Sequence, residues 1–153
     1  MSTQTQTKTQ DFKLGKDQLD AIAVLGYQLY EQGKVDDATT MFDSLINFDN
    51  KNYLGFAGRG AVALSQEKLD EAVQYLAKAA ELNPTDATVH ANLGETYLRQ
   101  AKFDQATAEF TKALDLDPDE VDPGANRARA ILEGMEIVIN ELERMHAAGI
   151  STN

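Results

Sequence analysis

Cysteine is absent from all 153 residues. Without a thiol there is no disulfide, no thiolate metal site and no cysteine nucleophile. Long apolar runs are missing too. No stretch approaches the roughly 20 apolar residues that span a bilayer. The first ten residues, MSTQTQTKTQ, lack the apolar segment of a secretory signal. The expectation is a soluble, cytoplasmic chain with no direct membrane insertion. Basic residues are scarce, with 14 Lys+Arg against 25 Asp+Glu and a net charge of −11. The acidity is spread along the chain rather than held in a tail, so it repels phosphate backbones and no nucleic-acid partner is expected. It could steer a basic partner, or it is simply a solvated helical surface. The only histidines, His90 and His146, lie far apart with no metal-ligand spacing. His90 reads as a core residue. The few serines form no G-x-S-x-G elbow. No catalytic residue, metal or cofactor is assigned, and the chain is read as a non-enzyme.

What is present is a period of 34 residues. Leu25-Gly26 aligns with Arg59-Gly60 and Leu93-Gly94. Ala38 aligns with Ala72 and Ala106, and Phe42 with Leu76 and Phe110. Asn50 aligns with Pro84 and Pro118. This pattern resembles the tetratricopeptide (TPR) repeat, a helix-turn-helix unit that stacks into a solenoid. The expected fold is all-α, a TPR superhelix of three helix-turn-helix repeats plus a C-terminal capping helix. The boundaries are a flexible polar leader at 1–18, repeats at 19–52, 53–86 and 87–120, a capping helix at 123–148 and a frayed tail at 149–153. Within 123–148, Ala128, Ile131, Leu132, Met135, Val138, Ile139, Leu142 and Met145 form one helical stripe, suited to covering the last repeat. Of the three intra-repeat turns, only Gln32-Gly33-Lys34 contains the Gly that suits a left-handed helix end. Gln66-Glu67-Lys68 and Gln100-Ala101-Lys102 are therefore expected to be longer helical bends.

Two further motifs resolve into structural roles. Gly55, Gly58 and Gly60 fall inside a helix, where each costs about 1 kcal/mol relative to Ala. They read as close-packing positions, not a phosphate loop, which needs a strand-turn-helix context. Asp115, Asp117 and Asp119 begin like a calcium loop, but Glu120 stands where Gly is needed and Asn126 where a bidentate Glu is needed. They read as an acidic turn, with weak surface cation binding as the alternative.

TPR solenoids hold other proteins in a concave groove. Repeat positions 2, 5, 9 and 12 place a candidate peptide-binding groove at Ala23, Tyr27, Tyr30, Leu54, Ala57, Ala61, Leu64, Ala91, Glu95 and Leu98, with Asp20 and Thr88 at the remaining positions. Small apolar positions leave room for a partner's Leu, Val or Pro, and tyrosines offer flat faces and a hydroxyl. The competing reading is that Tyr27 and Tyr30 only pack against neighbouring chain. TPR domains that grip a C-terminal carboxylate carry Lys, Asn and Arg at several of these positions. Ala23, Tyr27, Ala61, Ala91 and Glu95 stand there instead, against a clamp for acidic chaperone tails.

Repeat one adds detail: Leu25-Gly26-Tyr27, Tyr30, Gly33-Lys34, Asp37-Ala38, Phe42, Leu45 and Asp49. Repeat two then opens with Phe56-Ala57-Gly58-Arg59-Gly60-Ala61. Over residues 19–145 the chain resembles the class II chaperones of bacterial type III secretion, which guard pore-forming translocators. The resemblance implies a chaperone that binds an extended hydrophobic segment of a client in the concave groove, without ATP. A homodimer is an option. The alternative function is a general TPR scaffold that assembles complexes by self-association.

Overall fold

The computed structural model describes residues 13–150. Seven helices form in that span: α1 (Lys16–Glu31), α2 (Val35–Phe48), α3 (Tyr53–Ser65), α4 (Leu69–Leu82), α5 (Ala87–Arg99), α6 (Phe103–Asp115) and α7 (Pro123–Ala147). Each repeat is one helix pair. The fold is all-α, a TPR superhelix of three pairs followed by α7.

The inter-repeat turns are built alike. Asn52 accepts from the backbone N–H of Leu54 at 3.1 Å, Asp86 from that of Val89 at 3.0 Å and Asp122 from that of Ala125 at 2.8 Å. Each side chain satisfies an N–H that the first helical turn leaves without a partner. Pro123 follows Asp122, at a position where its missing N–H costs nothing.

The intra-repeat turns differ from expectation. Gly33, Glu67 and Ala101 all take left-handed backbone, at φ 75°, 58° and 57°. The N–H groups of Lys34, Lys68 and Lys102 return to the carbonyls of Leu29, Ala63 and Tyr97, each at 2.9 Å. All three are therefore the same tight Schellman turn. The longer bends expected at Glu67 and Ala101 do not occur, because the stacked helices fix the turn whatever residue fills it. Two boundaries also move. α1 starts at Lys16, inside the expected leader, with the Gln18 side chain accepting from the N–H of Gly15 at 2.8 Å. At the other end Gly149, at φ 73°, closes α7 with the N–H of Ile150 on the Met145 carbonyl at 3.0 Å, so these two residues form a cap and not a frayed end. The rest of the expected leader (1–12) and of the tail (151–153) lies outside the described residues.

The core runs through the repeats. Ala38, Ala72 and Ala106 are fully buried where paired helices cross, as are Phe42, Leu76 and Phe110. Phe42 fits a slot made by two glycines. A Cβ on Gly26 would lie 2.7 Å from its ring, and a Cβ on Gly58 would overlap the ring outright. Gly60 faces Leu76 and Gly94 faces Phe110 in the same way. Arg59 joins three helices: its Nε lies 2.7 Å from the Asp43 carboxylate, though not aimed along a hydrogen bond, and a terminal nitrogen lies 3.2 Å from Glu71.

Candidate functional site

The first helices of successive repeats touch one another, α1 with α3, α3 with α5 and α5 with α7, whereas α2, α4 and α6 do not. The first helices therefore lie on the inside of the curve. There α1, α3, α5 and the inter-repeat turns enclose a hollow of about 480 Å³. Tyr27, Leu54, Ala57 and Val89 supply its apolar surface, and Tyr53, Asn83, Asp86, Thr88, Asn92 and Asp122 its polar wall.

Much of the polar wall is already committed. Asp86 and Asp122 cap α5 and α7, and Thr88 also donates to Asp122 at 3.1 Å. Burial, reinforced by the Asp86 charge, holds the Tyr27 hydroxyl in its protonated form well above the ordinary tyrosine value, and the same two causes raise that of Tyr53. They remain donors. A hollow of this kind offers contact area to apolar side chains and hydrogen bonds to a backbone.

The structure distributes the sequence-derived groove residues over several environments. Tyr27, Leu54 and Ala57 line the hollow. Tyr27 also sets its ring edge-on to Phe42, 5.0 Å between centroids, so it joins core to groove. Ala23 and Ala91 are buried at 2% and 1% exposure and lie off the hollow, whereas Ala57 and Val89 border it as core residues. Leu64 belongs to the core beside Ala72, Leu76 and Leu93. Tyr30 is half-buried, with its hydroxyl 3.5 Å from the Ala61 carbonyl. Leu98 packs against the C-terminal core. Glu95 is paired with Arg99 at 2.6 Å and Arg127 at 3.3 Å, and the bond to Glu95 raises the already high Arg99 value. Tyr53, Asn83, Asp86 and Asn92 were not anticipated. Tyr53 and Asp86 sit at helix starts, which a pattern of mid-helix positions misses.

Outside the hollow the polar clusters are structural. His90 is buried, with Nδ1 2.7 Å from Glu109 and Nε2 2.9 Å from the Pro84 carbonyl. The Asp117 carboxylate receives the N–H groups of Val121 and Asp122 at 3.0 and 3.1 Å, so it organises the turn before α7. Among the described residues no three metal-ligating side chains converge, and no helix is long and apolar enough to cross a membrane.

Two family models, each described as tetratricopeptide repeat, match residues 24–87 and 63–132. Together with the stacked helix pairs, they make the chain a member of the tetratricopeptide-repeat family. Among solved structures it is similar to PcrH in complex with the chaperone binding region of PopD. That likeness has 28% identity and a TM-score of 0.69, over 81% of this chain and 95% of that one. PcrH from Pseudomonas aeruginosa is 29% identical, with a TM-score of 0.67 over 79% of this chain and 93% of that one. The Yersinia enterocolitica type III secretion translocator chaperone SycD shares the fold, with a TM-score of 0.72 at 20% identity over 83% of this chain and 89% of that one. The chain thus resembles the class II translocator chaperones. A search of curated proteins finds no match.

Proposed function

We propose that this protein is a non-enzymatic chaperone that holds an extended, largely apolar segment of a secreted, translocator-type client in the groove of its first helices. The observation that carries the reading is the likeness to PcrH over four-fifths of the chain, because that structure holds a chaperone binding region. The hollow supports it. Tyr27 and Leu54 give anchors somewhere to sit beside the buried Ala57 and Val89, and the tyrosine hydroxyls and Asn92 can meet a peptide backbone. Covering such a segment keeps a membrane-active client from aggregating or inserting early. The protein works in the cytoplasm, where the client is made.

The test is co-purification from the native host with the wild-type chain and with Tyr53→Ala and Asn92→Trp. The first variant removes a wall of the hollow and the second fills it, while neither touches the core. A single dominant client with hydrophobic spans, captured by the wild type and lost from both variants, is the expected result. Recovery of several soluble subunits, equally by all three, would replace the chaperone with an assembly scaffold.

A further inference from the structure

α7 runs for 25 residues, while α3, α5 and α6 run for 13. Its first half does what a cap should. Gly124, Ala125 and Ala128 are buried, and Ile131 and Leu132 join the core of α5 and α6. The second half is different. Ile137, Val138, Ile139 and Leu142 are 69%, 57%, 52% and 47% exposed. An isolated helical segment of this length is marginal in water. Where the two halves meet, a cavity of about 570 Å³ is lined by Phe103, Ile131, Gly134, Met135, Val138 and Ile139.

The spacing identifies what fits. Ile131, Met135, Val138, Leu142 and Met145 alternate steps of four and three residues, the seam of a helix that packs along another helix. The same chain thus carries an apolar groove at the middle of α7 and an apolar ridge at its end. A two-fold axis across α7 would place each ridge in the other copy's groove, a self-complementary contact. The antiparallel arrangement also sets the two solenoid bodies at opposite ends of the helix pair. Burying Phe103, Val138, Ile139 and Leu142 with the two methionines removes on the order of 500 Å² per copy, or ~1,000 Å² in all, which reaches the lower bound for a specific interface.

We propose that α7 pairs antiparallel with α7 of a second copy of this chain, the Leu142–Met145 ridge of each lying in the groove that Phe103, Met135 and Val138 form on the other. The interface lies away from the hollow between α1, α3 and α5, so dimerisation and client binding are separable. Each copy carries a net charge of −11, so added salt should strengthen the dimer by screening their repulsion.

Sedimentation equilibrium on the full chain tests this. The wild type should show a reversible monomer–dimer equilibrium. Val138→Glu with Leu142→Glu should weaken it at least ~tenfold, with unchanged circular dichroism because both side chains are exposed. Since the chain lacks cysteine, Met135→Cys in one copy and Met145→Cys in another should give the mixed disulfide on co-oxidation. Three results would overturn the proposal: a wild type that stays monomeric at every accessible concentration, a dimer indifferent to the double substitution, or disulfides only between like variants. A monomer whose α7 is protected only when client is present would make this face a client contact instead. The double-Glu variant should still capture client. If it does not, while the wild type dimerises as described, the groove reading fails without the dimer failing.

Discussion

Phe42 and Phe103 are both aromatic residues on the second helix of a repeat, and their surroundings are opposite. Phe42 has no exposed surface and is gripped between Gly26 of α1 and Gly58 of α3. Phe103 is 56% exposed, although Val35 and Leu69, its counterparts in repeats one and two, are partly buried against the core. The difference lies in the next unit of the stack. Repeats one and two are each covered by another complete helix pair, whereas repeat three is covered by α7 alone. A solenoid buries its apolar faces by repetition, so the last face stays open until something else covers it.

Paired substitutions can break that contrast. The largest expected effect is Phe42→Ala, which should cost about 3–5 kcal/mol. Phe103→Ala should stay within about 0.5 kcal/mol for the monomer. Urea denaturation of both variants checks this, and equal losses would show that Phe103 is a core residue. Two helical glycines make the next comparison. Gly58→Ala drives a Cβ into the Phe42 ring and should destabilise by about 1–3 kcal/mol. Gly134→Ala meets nothing within 4 Å and should stabilise the monomer by up to about 1 kcal/mol. The turns offer a smaller effect. Ala101→Gly should raise stability by about 1 kcal/mol by relieving the left-handed alanine, and Gly33→Ala should lower it by a similar amount; thermal melts give both signs. The smallest effect is in pH. Tyr27 is held above its ordinary value of 10.0, so the unfolded tyrosine ionises first. Its contribution is intact below about pH 10 and is lost as the pH rises further. Tyr27→Phe should flatten that part of the alkaline stability curve.

The 34-residue period made the helix pairs and their crossing residues readable, because Ala38, Ala72 and Ala106, and the large apolar Phe42, Leu76 and Phe110, recur wherever close contact does. It did not reveal that Glu67 and Ala101 are left-handed. Neither residue signals that backbone, and stacking of neighbouring units overrides local preference there. The stripe on α7 was visible as apolar from Ala128 to Met145, but periodicity marks a face without saying whether anything lies on it. Within the groove, repeat positions located Tyr27, Leu54 and Ala57. They could not distinguish these from Ala23, Leu64 and Ala91, because a repeat position does not say which residues the packing of neighbouring helices leaves beside the hollow. The unanticipated residues, such as Tyr53 and Asp86, sit at helix starts, where the turn geometry decides which way a side chain faces.

Hydrogen–deuterium exchange of the chain, with and without the client segment it co-purifies with, tests the groove most directly. A chaperone of the proposed kind predicts that the segment slows exchange in α1, α3 and the start of α5, around Tyr27, Leu54 and Val89, and leaves the outer helices α4 and α6 unchanged. Protection confined to α4 and α6, or none at all in the first helices, would contradict it.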